Sequence, residues 1–298
     1  ALGNLYVASG KNENALHQFE AALEENANLA DAHIGMADAY IALNRPEEAE
    51  ASLRKAIDAD VSNWASFNAM GNFLFGQGRF LEAAEFYQMF VNRADNDAKA
   101  MNNLGAAYYL AGKFRDAAEA WEQAIAIRPG RSVYSNTGTM YFFLGEYDKA
   151  ADRYALAANF APNDYIVWSN LGDAYFFGES FGQVAEVTYK RALALVEQQL
   201  GVNPDDAEAT SFAAYLNARL GNRKKALELD TRAREKASEN MYVYYNGALV
   251  HAQFGQTDEA LEALERAVAL DYQVDLLPLD PAFEGLREEP RFKQLLTK

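Results

Sequence analysis

A small residue returns at almost constant intervals through this 298-residue chain, at Gly3, Ala37, Gly71, Gly105, Gly138 and Gly172, with separations of 34, 34, 34, 33 and 34. Weaker copies follow at Ala214 and Ala248. A fixed period of this length marks a supersecondary unit that cannot bury its apolar face alone, so successive copies must stack to build a continuous core. Length by itself would suggest about two globular domains; the period replaces that expectation with an array.

Two more columns keep the same register. Ala15, Ala49, Ala83, Ala117, Ala150, Ala185, Ala226 and Ala260 form one, and Ala22, Ala56, Phe90, Ala124, Ala157, Ala192, Ala233 and Ala267 the other. Between them stand large side chains at helical spacing: Tyr6, Tyr40, Leu74, Tyr108, Tyr141 and Tyr175, then Phe19, Leu53, Tyr87, Trp121, Tyr154 and Tyr189. Two antiparallel helices approach closely where one presents small residues, and the large side chain of the other fills the space. The turn inside each unit carries Gly10, Gly78, Gly112, Gly145, Gly221 and Gly255, with Asn44 in the second copy. Gly and Asn tolerate the left-handed backbone that closes a helix C-terminus. Pro129, Pro162 and Pro204 end repeats, where a helix must stop.

The spacing, with segments such as WSNLGDAY and MNNLGAAYYLAGKFRDAAEAWEQAIAIRP, resembles the tetratricopeptide repeat family. That resemblance implies an all-α fold, an α-α superhelix in which hairpins stack as a right-handed solenoid. It covers residues 1–274: a partial repeat at 1–29, then repeats at 30–63, 64–97, 98–130, 131–164, 165–206, 207–240 and 241–274. The fifth full repeat rewrites its turn as GESFG and lengthens its second helix toward Pro204. The sixth places Asn217 in the mostly tyrosine column and Asp230 in the mostly aromatic one that follows, so it is expected to pack most loosely and to serve as a hinge or a partner-shaped segment. Residues 275–298 leave the period and read as a cap, with Leu286, Phe292, Leu295 and Leu296 covering the last exposed apolar face. The run LDPAFEGLREEPRF also resembles the end of tetratricopeptide regions that follow bacterial serine/threonine kinase, cyclase or winged-helix regulator domains.

With 43 acidic and 27 basic residues the formal charge is -16, which disfavours phosphate backbones and anionic bilayers and suits a solvated outer surface. No apolar run approaches the roughly 18 residues of a membrane-spanning helix. The chain therefore reads as soluble, with cytoplasm favoured over periplasm. It has no cysteine, so disulfides and thiolate metal sites are excluded. Of the three histidines, His33 and His251 occupy columns normally filled by Trp and Tyr and read as packed, while His17 reads as solvated. Neither a nucleophile elbow nor a phosphate loop is present. No enzyme, cofactor or metal is expected.

In such an array the first helix of each pair lines the concave groove. Counting the Gly/Ala column as position eight, position six carries Asn103, Asn136, Asn170 and Asn246, and position five Asn68, Asn102, Ser135, Ser169 and Ser211. An amide side chain donates and accepts, so a ladder of Asn can hold a peptide main chain whatever its sequence, or can bond instead to a neighbouring helix. The arrangement resembles the asparagine ladder in the repeat region of O-linked GlcNAc transferases. One turn on, Phe75, Tyr109, Phe142, Phe143, Phe176 and Phe177 form a second aromatic stripe, expected to offer apolar surface in the groove. Some family members clamp a C-terminal carboxylate with Lys, Asn and Arg; here Lys99 has Asn72 and Asn103 near it but no further cation, so that clamp is incomplete. Asp31, Asp38 and Asp173 would favour a basic group on the ligand.

The expected function is a protein-interaction scaffold whose groove, between Asn68 and Phe177, binds an extended segment of a partner protein or peptide. The alternative is the regulatory or sensory region of a larger bacterial kinase, cyclase or winged-helix regulator. Nucleic acid and membrane insertion are not expected. Self-association through open repeat ends or the lengthened helix is a further expectation.

Overall fold

A computed structural model describes residues 1–94, 97–178 and 182–297. Helix accounts for 79% of the chain, and no strand occurs among the described residues. Two compact units form, Ala1–Arg128 and Pro129–Lys298. The first holds four hairpins: α1 (Leu2–Ala8) with α2 (Asn12–Glu25), α3 (Ala30–Ala42) with α4 (Pro46–Ala59), α5 (Trp64–Gly76) with α6 (Phe80–Val91), and α7 (Ala98–Leu110) with α8 (Phe114–Ile127). The second holds α9 (Arg131–Phe143) with α10 (Tyr147–Phe160), α11 (Tyr165–Phe177) with α12 (Gly182–Val202), α13 (Ala207–Arg219) with α14 (Arg223–Lys236), and α15 (Met241–Gln253) with α16 (Thr257–Ala269). A tail follows, made of two 3-10 turns, Val274–Leu279 and Pro281–Leu286, and the short helix α17 (Pro290–Leu295). Residues 179–181 of the rewritten GESFG turn lie outside the described residues.

Local chemistry sets the helix ends. The turn residues take the left-handed backbone, with φ of 57° at Asn44 and between 66° and 79° at the six turn glycines. This lets the next amide return to the tyrosine column: Arg45 N–H donates to the Tyr40 carbonyl at 2.9 Å, Lys113 to Tyr108 at 2.8 Å and Glu146 to Tyr141 at 2.8 Å. Five first helices, α5, α7, α11, α13 and α15, open on side-chain caps that the repeat columns do not display. Asn63, Asp97, Asp164, Asp206 and Asn240 each accept from amides of the first turn, satisfying donors that the helix itself leaves unpaired.

The small-against-large fit is tight. A β-carbon placed on Gly71 would lie 2.7 Å from the Tyr87 ring, on Gly105 2.6 Å from Trp121, on Gly138 2.9 Å from Tyr154 and on Gly172 2.5 Å from Tyr189. Phe19 lies against two glycines at once, Gly3 in its own hairpin and Gly35 in the next. Large rings thus join hairpins as well as close them.

The sixth full repeat is not the loosest; this expectation is corrected. From Ala209 to Ala218 every residue of α13 except Phe212 is buried, and α13 packs directly on α15. The polar replacements are paired rather than open. Asp230, 4% exposed, receives Arg234 at 2.9 Å and contacts His251 Nε2 at 3.1 Å. Gly247 supplies the room, since a β-carbon there would meet Asp230 at 2.4 Å and Arg234 at 2.5 Å. Asn217 donates to the Ala213 carbonyl at 2.8 Å. A buried ion pair with a glycine beside it has taken the place of the aromatic knob.

The tail buries Leu277, Phe283, Leu286, Phe292 and Leu295 in the core cluster of α12 to α16, with Leu296 partly buried against it. Its end packs on α16, where Arg291 pairs with Glu265 at 3.0 Å and Asp258 at 3.3 Å. Its second 3-10 turn leaves that end and packs on α15.

Candidate binding faces

Within each unit, first helices adjoin the first helices of neighbouring hairpins, as α3 does α1 and α5, or α15 does α13. They form one layer, and the side chains on it that are not used in packing make the candidate surface.

In the first unit that surface holds an open groove of about 580 Å³. Ile34, Asp38 and Ile41 of α3, Trp64, Asn68, Asn72 and Phe73 of α5, and Lys99 of α7 line it. Trp64 stacks on Phe90 with centroids 5.2 Å apart yet stays 47% exposed. Asp38 is open to water but lies in the concavity, and the loss of surrounding solvent raises its carboxyl above the usual aspartate range. Asn72 is exposed and accepts from the Tyr87 hydroxyl at 2.8 Å, while Asn68 accepts from Asn103 Nδ2 at 3.5 Å. The amide donors of Asn68 and Asn72 make no bond to a described residue, and Lys99 is exposed without an ion pair among them. Tyr109 is half-buried, its ring 6.2 Å from Phe114 and 6.3 Å from Trp121. Asn68, Asn72 and Lys99 line this one groove together with Ile34, Ile41 and Trp64, which the sequence does not single out.

In the second unit much of the expected surface is consumed internally. Phe142 and Phe143 are each 9% exposed, so the expectation that they offer apolar surface is corrected. Their rings pack edge to face at 5.6 Å, and Phe142 also meets Tyr147 at 5.5 Å and Phe177 at 5.8 Å. Successive repeats bring these positions within ring contact, which satisfies them without a ligand. Phe177 is half-buried and Phe176 remains 44% exposed.

Asp173 does not await a basic ligand. It accepts from Tyr189 at 2.7 Å and from Tyr215, and lies 3.5 Å from Arg219 Nε. Arg219 donates to the Tyr215 hydroxyl and to Gln253, both at 2.8 Å, and its guanidinium lies over Phe176 at 4.6 Å and Phe177 at 5.0 Å. Burial raises the Asp173 carboxyl and the Arg219 charge opposes that rise. The cation that completes Asp173 comes from the chain itself. Arg219 is a functional residue that the sequence does not single out, because its partner Asp173 lies in an earlier repeat.

The asparagines divide. Asn246 is 3% exposed and donates to Ser211 at 2.9 Å, a bond between neighbouring first helices. Exposed Asn136 and half-buried Asn170 bond to no other described residue. Among the histidines, His251 contacts Asp230 and Gln256, His33 lies 3.3 Å from the Ala27 carbonyl, and exposed His17 lies 3.5 Å from Glu20. Among the described residues no group of three His, Asp or Glu could hold a metal ion, and no helix is long and apolar enough to cross a membrane.

Family models described as tetratricopeptide repeat match residues 6–70, 62–130 and 242–273. An Hsp70-Hsp90 organizing protein 1 of Glycine max is 30% identical over 165 residues, covering 55% of this chain and 27% of the relative. The chain spans about a quarter of the length of such curated relatives. A tetratricopeptide repeat protein of Parabacteroides merdae superposes with a TM-score of 0.66 at 14% identity, covering 90% of this chain and 97% of that one. The C-terminal part of a repeat protein of Cytophaga hutchinsonii gives 0.60 at 19% identity, covering 82% and 98%. These two likenesses establish the stacked-hairpin fold.

Proposed function

Because the chain belongs to the tetratricopeptide repeat family, we propose that it is a protein-interaction scaffold whose open groove in the first unit binds an extended segment of a partner protein. The observation that carries this reading is the combination in one groove of exposed apolar surface and amides with unused donors. Ile34, Ile41 and Trp64 supply area that is stabilised when removed from water. Asn68 and Asn72 hold the partner's main chain through bonds that do not depend on its sequence. Lys99 and Asp38 add one charge of each sign, which selects among segments and sets their direction. Asn103 steadies Asn68 through its Nδ2 bond. In the second unit Asn136, Asn170 and Phe176 retain surface for a smaller share of such contacts. Similarity to a stretch of an Hsp70-Hsp90 organizing protein supports a role in holding other proteins.

The test is a peptide selected from a displayed random library against the whole chain. Asn68→Ala, Asn72→Ala and Lys99→Ala together should weaken its binding by at least about tenfold, with helical content and melting unchanged. Glu85→Ala with Glu119→Ala, on exposed positions of α6 and α8, should leave binding intact. Equal affinity for both variants would remove the groove assignment.

A further inference from the structure

The second unit carries a site already filled by the chain. Tyr245, on the inner side of α15, stacks on Tyr272 at 4.5 Å and meets the edge of Phe283 at 5.9 Å. Its hydroxyl donates to Asp280 Oδ2 at 2.5 Å, and Asp280 Oδ1 accepts from the Ala282 amide at 2.9 Å. Asp280 is 3% exposed and Phe283 fully buried. One short turn thus inserts a carboxylate and, three residues later, an aromatic ring.

The fit is imperfect. The Arg219 cation favours ionisation of Asp280, and the Asp173 carboxylate opposes it. Burial raises the Asp280 carboxyl, with the Tyr245 bond opposing that rise. Arg287 Nη2 donates to the Asp280 carbonyl at 3.4 Å, but its Nε is buried without a hydrogen-bond partner among the described residues. Further along, α17 is fastened separately to α16 through Arg291. The chain end thus has ion pairs of its own, separate from the Tyr245–Asp280 contact.

We propose that the face built on Tyr245 and Tyr272 is a recognition site for partner segments of the form Asp-Pro-x-Phe, and that residues 280–283 occupy it in cis. A partner carrying this chemistry gains access by displacing the turn, so the tail sets a threshold for binding. The inference does not depend on the groove of the first unit.

The probe is a fluorescent peptide with the sequence of residues 277–287, read by anisotropy against the full chain. Asp280→Ala with Phe283→Ala should empty the site and bind the probe at least about tenfold more tightly than the wild type, whose affinity is reduced by the fraction of time the site is closed. Adding Tyr245→Phe to that variant should weaken binding by about tenfold, and a probe with Ala in place of its Asp and Phe should not bind. A folded emptied variant that binds no more tightly than the wild type overturns the proposal. If that variant does not fold, hydrogen exchange of the wild type decides. Residues 274–287 should open while α15 and α16 stay protected, and exchange only together with those helices overturns the proposal equally.

Discussion

Gly105→Ala is the sharpest perturbation of the packing. The added methyl would sit 2.6 Å from Trp121 Nε1, 2.7 Å from Cδ1 and 2.8 Å from Cε2. Ordinary contact lies at about 3.5–4.0 Å, so the indole must retreat by about 1 Å. Trp121 is 3% exposed and its Nε1 donates to the Asn102 carbonyl at 3.3 Å, so there is little free space and a bond is lost in moving. Overpacking costs about 1–3 kcal/mol and the indole bond about 0.5–1.5 kcal/mol. The higher helix propensity of Ala returns about 0.8–1.0 kcal/mol. The sum is a destabilisation of about 0.5–4 kcal/mol. Gly76→Ala is the control, because Gly76 also lies in a first helix but has nothing within 4 Å of its would-be β-carbon. It should stabilise by about 0.4–1 kcal/mol. An array of repeats need not unfold as one unit, so the assay is hydrogen exchange resolved to α7 and α8 rather than a single melting point. Trp121→Leu in the Gly105→Ala background should recover part of the loss, giving a coupling energy of about 1 kcal/mol or more. Protection of α7 and α8 that rises with Gly105→Ala, as that of α5 should with Gly76→Ala, would refute the small-against-large argument.

Two other outcomes follow from the charged groups. Arg219→Met strands the Asp173 carboxylate and should destabilise the second unit by about 3–5 kcal/mol, while Asp173→Asn added to it should recover a large part; denaturant unfolding of the four chains checks this cycle. Glu50 of α4 pairs with Arg79 of the next hairpin at 2.6 Å, and that contact, chiefly, holds its carboxyl below the usual glutamate range. A carboxyl lowered on folding stabilises above its unfolded pKa and loses that contribution as pH falls through its folded pKa. Wild type should therefore melt above Glu50→Gln at neutral pH, and the two should converge in acid.

What was legible in the sequence is what each repeat does with its own residues. The glycine and alanine columns, the ring facing each and the positive-φ turns all lie within one period, so spacing alone exposes them. What was not legible depends on residues far apart in sequence. Arg219 reaches Asp173 across 46 positions (219 − 173), and nothing in either local pattern announces the other. Asp230 looked like a defect in an aromatic column because its compensation, Gly247 and His251, belongs to the next repeat. The stripe from Phe142 to Phe177 has the spacing of a docking surface, yet the approach of neighbouring hairpins makes it packing. The tail could be recognised as a cap from Phe292 and Leu295, but its turn back onto Tyr245 required the fold.

The account stands on the open groove of the first unit as the place where a partner segment lies. A photo-crosslinking residue placed at Asn72, and separately at Glu85 in the second-helix layer, measures this directly with the library-selected peptide. The peptide should be captured from position 72, at the same residues along its length in every product, and not from position 85. Capture from position 85 with none from position 72 would contradict the assignment.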